Sequence, residues 1–376
     1  MCIDILKKNI IFVLLDGARW DRLNTSQEFV KVSSTGTLLN NVSTAIPYTI
    51  GSVNVTFSGL YGKDNGIDAY YKMFRLKDSV EILPEIFQNN GYFTACDLLS
   101  NRIVSKRGYD IHQAHDEYTD NLNIRHPEFI KNCISKSNGK PLFLFLHFTR
   151  IHTITVSEVL KKYEWDDQEF YDKRKTNLEN YDSAFNEAGK YTLEIKNIIK
   201  ELGIDDNTIV IFFSDHGTGI GERFGERNYG SFTHEETIRS FFLFSGTDII
   251  KNRSTDKLRE TIDVFPTILD LVGIKTTLDR PGQSFAEFLI NKNSQLDDKP
   301  YSFSETGALH GPYPSPAKPN VFCIKTPTSK LIFLKTPNEW KFFNLEDDPL
   351  EENNQYLSTD PIQSDLKKKL IAWINR

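Results

Sequence analysis

Short runs of apolar residues recur along the chain between amphipathic stretches. Four of these runs are rich in β-branched or aromatic residues, and they cover residues 10–15, 142–148, 209–213 and 241–244. Because apolar residues fill consecutive positions, each run predicts a strand that is buried on both faces. Residues 80–89 and 177–202 instead follow a helical pattern. Strands that alternate with helices are typical of a mostly parallel sheet covered by helices.

The pattern changes after Gly273, where prolines become frequent and the alternation weakens. Residues 331–334 and 340–343 predict two strands of a hairpin, and residues 362–374 predict a closing helix. We therefore predict an α/β fold with a central, mostly parallel sheet between helices, and a small C-terminal antiparallel sheet plus helix. The predicted units are a main domain over residues 1–300 and a smaller subdomain over residues 301–376.

Composition and charge exclude several classes of protein. The 51 acidic and 45 basic residues give the 376-residue chain a net charge of −6, so it lacks the positive field of a general nucleic-acid binder. We also predict no membrane span, because the run 10–15 is far shorter than the roughly 20 residues a spanning helix needs. The oligomeric state stays open.

Cysteine usage indicates the redox compartment. The four cysteines have no C-x-x-C spacing and are spread along the chain at Cys2, Cys96, Cys133 and Cys323. This distribution predicts neither a zinc ribbon nor a disulfide framework. A reducing compartment, and therefore a cytoplasmic location, is the simpler expectation.

Polar residues that could do chemistry follow three of the apolar runs. The first run ends at Asp16, the run 209–213 continues into Asp215 and His216, and the run 142–148 leads to His152. Ligands of open parallel sheets bind outside the carboxyl ends of the strands. Two carboxylates and an imidazole at that edge could hold calcium, manganese or zinc. Taken singly, such residues are also common as helix caps or in surface loops.

Thr49 stands just before a helix-like stretch over residues 53–58. A hydroxyl near a helix N-terminus lies close to free backbone N–H groups, which favour a phosphate or sulfate oxyanion. A nearby divalent cation would lower the pKa of that hydroxyl and make it a usable nucleophile. The alternative is that Thr49 only caps the helix.

Six segments together resemble the sulfatase family within the alkaline phosphatase superfamily. They occur in the family's order, over residues 9–16, 49–66, 206–217, 233–244, 262–267 and 344–351. The resemblance implies an alkaline phosphatase-like fold with a catalytic main domain. It also implies one divalent metal ion, held by Asp16, Thr49, Asp215 and His216.

The resemblance implies roles for three further residues. His152 is similar to the family's substrate-side histidine, which binds a substrate oxygen or protonates the leaving group. His234 lies where the family often has an aromatic or a substrate-binding residue, and Arg239 matches a family Arg that could bind an anion. For His152 a loop histidine bonded to the backbone is the alternative, and Arg239 could equally be structural.

The chain departs from the family pattern at the nucleophile. Family sulfatases have a Cys or Ser at the position of Thr49, which is oxidised to formylglycine, with Pro and Arg where this chain has Gly51 and Val53. A threonine cannot form that aldehyde. A threonine at this position is instead similar to the nucleophile of the phosphodiesterases and phosphoethanolamine transferases of the superfamily. In those enzymes the threonine is transiently phosphorylated.

Our main expectation is therefore cleavage of a phosphoester, phosphodiester or phosphonate of a small molecule or glycan, through a covalent phospho-threonine on Thr49. Three alternatives stay open. The protein could transfer a substituted phosphate onto a glycan, or hydrolyse sulfuric esters with Thr49 acting directly on sulfur. It could also be an inactive binding protein, although the joint presence of Asp16, Thr49, Asp215 and His216 argues against that.

Overall fold

The computed structural model describes residues 7–72, 75–155 and 164–376, with the side chains of residues 153–155 excepted. Cys2 lies outside these ranges, and the other three cysteines are free and buried. Within the described ranges, no helix combines the length and the apolar character needed to cross a bilayer.

The described residues form one large sheet and one small sheet. The strands of the large sheet are β1 (Asn9–Leu15), β2 (Gly36–Ser43), β3 (Phe93–Leu98), β4 (Ile111–Ala114), β5 (Leu142–Phe148), β6 (Thr208–Phe213), β7 (Arg239–Gly246), β8 (Arg253–Thr255) and β9 (Arg259–Glu260). Their order is β4-β3-β5-β1-β6-β7-β2-β8, and β9 also pairs with β2. All pairs are parallel except β6–β7 and β7–β2. The predicted mostly parallel sheet is confirmed.

Helices cover both faces of this sheet. The helices of the described residues are α1 (Gln27–Ser33), α2 (Thr49–Ser58), α3 (Gly62–Asn65), α4 (Leu83–Asn89), α5 (Leu122–Lys136), α6 (Arg150–Thr155), α7 (Gln168–Asp172), α8 (Arg174–Glu201), α9 (Glu235–Ile238), α10 (Val264–Leu271), α11 (Ala286–Ile290) and, beside the C-terminal sheet, α12 (Pro361–Asn375). Alternate residues of β1 point to opposite sides, so Phe12 packs in the core beneath α2 and α10, and Val13 in the core beneath α1 and α8. This two-sided burial explains why the run is apolar throughout.

The C-terminal sheet is antiparallel, as predicted. Its strands are β10 (Ser302–Thr306), β11 (Val321–Lys325), β12 (Ser329–Leu334) and β13 (Glu339–Asn344), paired in chain order, and α12 packs against it through Leu370 and Trp373. The sheet is joined to the main sheet by Glu305, whose backbone N–H donates to the Ala45 carbonyl over 2.8 Å. The domain boundary at residue 300 stays a prediction.

A buried ionic cluster also joins the two sheets. Lys330 of β12 lies 2.7 Å from Glu235 and 2.8 Å from Glu351, and Lys325 of β11 lies 2.8 Å from Glu235. All four side chains are almost fully buried. Because an unpaired buried charge is costly, each of these residues depends on the others.

Helix α2 begins at Thr49 and ends where Gly59 adopts a left-handed backbone conformation, with φ of 67°. A Cβ atom at Gly59 would also lie 2.8 Å from the Phe265 ring, so glycine suits the turn on both grounds. The helix is anchored by Phe57, whose ring centroid lies 5.2 Å from that of Phe12 and 4.9 Å from that of Phe145. This packing holds the N-terminus of α2 over the sheet edge.

We expect Phe57→Ala to lower the free energy of unfolding by about 3–5 kcal/mol, because it opens a cavity between α2 and the sheet. Urea denaturation followed by circular dichroism measures the change. The matched control is Ile124→Ala on α5, where the side chain is 56% exposed, and its cost should stay within about 0.5 kcal/mol. Equal losses in the two variants would contradict the packing described for α2.

Candidate active site

Five predicted residues come together at the carboxyl edge of the parallel strands. Asp16 directly follows β1, Asp215 and His216 follow β6, and His152 lies in α6 after β5. Thr49 is the first residue of α2, and the N-cap position before it is held by Tyr48. Since β1 pairs with both β5 and β6, the loops that carry these residues are neighbours.

The Thr49 hydroxyl faces the carboxylate and imidazole groups. Its Oγ1 lies 3.4 Å from Oδ2 of Asp16 and 3.3 Å from Nε2 of His216. Nε2 of His216 is in turn 3.2 Å from Oδ2 of Asp215. His152 stands further out, with its Nδ1 3.9 Å from Oδ1 of Asp16. The hydroxyl of Thr49 is therefore directed into this group of side chains and does not cap the helix.

Each carboxylate keeps one oxygen free for a ligand. Oδ1 of Asp215 accepts hydrogen bonds from the backbone N–H groups of Gly17 and His216, over 3.2 and 2.9 Å. Oδ2 of Asp215 and Oδ1 of Asp16 are buried and have no hydrogen-bond partner among the described residues. Such orphaned oxygens are costly unless something binds them.

The imidazole of His216 is also prepared for a ligand. Its Nδ1 lies 2.8 Å from the carbonyl oxygen of Gly217. A carbonyl oxygen only accepts, so Nδ1 carries a proton, and in the neutral ring Nε2 keeps its lone pair. That bare nitrogen points to the same place as the two free carboxylate oxygens.

The electrostatics of the two aspartates differ. Burial raises the pKa of Asp16, but the nearby His152 and the hydrogen bond from His147 outweigh it and hold that pKa well below its usual value. Burial raises the pKa of Asp215, and the neighbouring charge of Asp16 adds to the effect. A cation between the two carboxylates would remove this repulsion.

The residues present fit a divalent metal ion. One donor atom from each of Asp16, Asp215 and His216 lies within 4.8 Å of the others, and all three residues are buried. Two carboxylates and one imidazole form a ligand set that calcium, manganese and zinc accept. The three predicted side-chain ligands thus converge, with the Thr49 hydroxyl beside them.

Two residues that the sequence patterns did not single out also belong to this site. Nδ1 of His147 accepts the backbone N–H of Leu99 over 3.3 Å, so its Nε2 carries the proton and donates to Oδ2 of Asp16 over 2.9 Å. The Tyr229 hydroxyl lies 3.3 Å from Nδ1 of His152, and its ring centroid is 4.2 Å from that of His216. The one signal for His147 was a polar residue inside the apolar run 142–148.

The two other predicted substrate-binding residues have different partners. Nδ1 of His234 lies 3.1 Å from a carboxylate oxygen of Glu351, next to the ionic cluster that joins the sheets. The guanidinium of Arg239 lies 3.5 Å above the Trp20 ring and donates to the Asn40 carbonyl. A role of His234 and Arg239 in substrate binding stays a prediction that rests on the resemblance.

Comparison with known families assigns this chain to one of them. The profile described as Sulfatase matches residues 8–274, which include Asp16, Thr49, His152, Asp215 and His216. The chain belongs to the sulfatase family. A second sulfatase-family profile, described as N-sulphoglucosamine sulphohydrolase, C-terminal, matches residues 226–376.

Similar proteins include members with different substrates in their names. An N-acetylglucosamine-6-O-sulfatase of Bacteroides thetaiotaomicron is 31% identical over 165 residues, which are 42% of this chain and 28% of that protein. The solved structure of a 2-O GAG sulfatase has a TM-score of 0.76 at 20% identity and covers 98% of this chain and 91% of its own. A phosphonate monoester hydrolase of Agrobacterium radiobacter has a TM-score of 0.71 at 13% identity, with 98% and 96% covered.

These likenesses have defined limits. The matched segments span between 10% and 38% of the length of the first curated relatives. The structural likenesses, all below 25% identity, establish the alkaline phosphatase-like fold of this sulfatase-family chain.

We expect Asp215→Asn to weaken metal binding at this site strongly, because it halves the carboxylate charge and leaves a neutral amide among the ligands. The measurement is the number of metal ions per chain in the purified, dialysed protein, determined by elemental mass spectrometry. Asp206→Asn, at an exposed position before β6, is the matched control and should leave metal content unchanged. Equal metal content in Asp215→Asn and wild type would refute the ligand assignment.

Proposed function

We propose that this protein is a metal-dependent hydrolase of sulfate esters carried by a sugar or a similar small molecule, with Thr49 as the nucleophile. The observation that carries the proposal is the position of the Thr49 hydroxyl. It lies at the N-terminus of α2, 3.3 Å from the free Nε2 of His216 and 3.4 Å from Asp16. A sulfate group that reaches Thr49 would also meet the backbone N–H groups of the first helical turn.

The choice of sulfate rests on the relatives. The threonine at the nucleophile position favoured a phosphoester, whereas the related proteins named above are mainly sulfatases, including an N-acetylglucosamine-6-O-sulfatase. Sulfate-ester hydrolysis therefore has more support than the phosphoester expectation. The family relationship also supports a sulfated sugar as the class of substrate.

Phosphoester or phosphonate cleavage is the second candidate, and one observation favours it. Thr49 replaces the Cys or Ser that becomes formylglycine in family sulfatases, and Gly51 and Val53 replace the Pro and Arg that accompany it. A hydroxyl nucleophile that cannot become an aldehyde is suited to attack on phosphorus as well as on sulfur.

In the first half of the proposed reaction, Thr49 Oγ1 attacks the sulfur and the bond from sulfur to the sugar oxygen breaks. The Thr49 hydroxyl loses its proton to solvent, because the adjacent Asp16 carboxylate has a pKa held well below its usual value and does not retain a proton. The departing sugar oxygen takes a proton from His152. A divalent ion bound by Asp16, Asp215 and His216 would lower the pKa of the Thr49 hydroxyl and stabilise negative charge on the sulfate.

In the second half, a water molecule attacks the sulfur of the sulfo-threonine. His152 takes a proton from that water, and Thr49 Oγ1 takes up a proton from solvent as its bond to sulfur breaks. Each cycle thus consumes one ester and one water and restores both residues. His152 suits this role because 13% of its side chain is exposed, whereas the His147 and His216 side chains are fully buried.

We expect Thr49→Ala to reduce turnover by at least about three orders of magnitude, because the nucleophile is lost. Thr49→Ser should keep part of the activity, since the hydroxyl remains. The assay uses 4-nitrophenyl sulfate and N-acetylglucosamine-6-sulfate, with 4-nitrophenyl phosphate, a phosphodiester and a phosphonate for the second candidate. Thr276→Ala, at an exposed position, is the control and should behave as wild type.

Mass spectrometry after a rapid quench should reveal the covalent adduct on the peptide that contains Thr49. A sulfo-threonine supports the sulfate proposal, and a phospho-threonine with selective phosphoester turnover would replace it with the second candidate. Undiminished activity in Thr49→Ala would mean that water attacks directly, and the covalent mechanism would be abandoned.

The role of His152 as a general acid has its own test. We expect His152→Gln to slow hydrolysis of a sugar sulfate by about 10²–10⁴-fold. The kcat/KM for 4-nitrophenyl sulfate should fall much less, because nitrophenolate leaves without a proton and kcat/KM reports only the first half of the reaction. The comparison is kcat/KM on the two substrates for variant and wild type, and equal losses on both would assign His152 to substrate binding instead.

A further inference from the structure

A second group of buried polar residues lies on the other side of His147 from Asp16. Asp97 is in β3, His115 directly follows β4, and His126 is in α5. The His115 ring centroid lies 6.3 Å from that of His147 and 5.7 Å from that of His126. One donor atom from each of Asp97, His115 and His126 lies within 4.8 Å of the others, and all three residues are buried.

Hydrogen bonds account for most polar atoms of this group. Oδ2 of Asp97 accepts from Arg125 over 2.7 Å and from Gln113 over 2.8 Å. Oδ1 of Asp97 lies 2.9 Å from Nδ1 of His115. Arg125 and Gln113 therefore occupy Oδ2 of Asp97, and its other oxygen, Oδ1, pairs with His115.

Two imidazole nitrogens remain without a hydrogen-bond partner. Nδ1 of His126 is paired with the Tyr191 hydroxyl over 2.5 Å. Nε2 of His126 and Nε2 of His115 are both buried, and neither has a partner among the described residues. An unsatisfied buried polar atom is costly, so each of these two nitrogens calls for a ligand.

The protonation states suit a metal ion. Burial lowers the pKa of His126 to about 3 and also lowers the pKa of His115. Both rings are therefore neutral near pH 7, and a neutral imidazole is the form that binds metals. Two imidazoles and one carboxylate are a ligand set typical of zinc and similar borderline divalent ions.

We propose that Asp97, His115 and His126 bind a divalent transition-metal ion, with zinc as the first candidate, in a site separate from the one at Asp16. The ion connects β3, the end of β4 and α5. It would hold His115 in place beside His147. His147 in turn donates a hydrogen bond to Asp16. The sequence by itself predicted one ion, so this site adds a second, and it does not depend on the proposed hydrolysis.

The test measures zinc in the full chain without an affinity tag, after chelation, reloading with zinc and dialysis. We expect one zinc ion per chain that is lost in His115→Gln and in His126→Gln but retained in Asp215→Asn. The matched control is His112→Gln in β4, because His112 also has a buried, unpartnered Nε2 but belongs to no such cluster within the described part of the chain. It should keep the full zinc content.

Cobalt substitution gives a second readout that separates the two sites. In Asp215→Asn, Co²⁺ should give a d–d absorption spectrum that disappears when His126→Gln is added. Circular dichroism identifies variants that fail to fold, and the two single histidine variants provide independent routes to the same result. Retention of all zinc in both folded histidine variants, or loss of all zinc in Asp215→Asn, would overturn the second site.

The outcomes also separate this proposal from the proposed function. Zinc lost only in the histidine variants, with no metal at Asp16 and no turnover, would support the second site while the hydrolase proposal fails. The opposite result is metal content and turnover that depend on Asp215 and do not change in His115→Gln and His126→Gln. It would support the hydrolase proposal and refute the second site.

Discussion

The pairing of β1 with β5 on one side and β6 on the other is the constraint on which the site depends. The register places Leu14 beside both His147 and Phe213, and Leu15 beside Phe148. Asp16 therefore emerges between the loops that carry His152 and Asp215. A shift of one residue in the β1–β5 pairing would turn His147 to the opposite face of the sheet from its present neighbours, because side chains alternate along a strand.

Burial then decides the chemistry of what the sheet brings together. Asp16, Asp215 and His216 are fully buried, so their charges lack the solvent that would otherwise stabilise them. Backbone N–H groups fix one oxygen of Asp215, and His147 fixes one oxygen of Asp16. The remaining lone pairs are directed to one point, which is how a protein scaffold prepares a metal site before the ion arrives.

The C-terminal sheet contributes to the main sheet through buried charge. Lys330 contacts Glu235 before β7 and Glu351 after β13, and His234 contacts Glu351 as well. Residues 344–351, which resemble a family segment, lie far from Thr49 along the chain. Through Glu351 they nevertheless contact His234, in the loop that follows the metal-site residues. Their role visible in the structure is to hold the two sheets together.

Local sequence determined much of this protein. The apolar runs predicted β1, β5, β6 and β7, the C-terminal hairpin and the closing helix, because a run of consecutive apolar residues is itself the signature of a strand buried on both faces. The strand ends also pointed to Asp16, Asp215 and His216, and the start of α2 pointed to Thr49. The apolar pattern did not predict the more polar strands β2 and β3, since Asn41 and Asp97 interrupt it.

Only the tertiary structure decided which polar groups meet. His147 bonds to Asp16 131 positions away, and Asp97, His115 and His126 come from three separate elements. No short-range pattern records such contacts, because they depend on strand order and register. The same holds for His234 and Arg239, whose partners Glu351 and Trp20 are distant in the chain. The sequence specified which residues could act chemically. The packing of the sheet decided which of them lie next to one another.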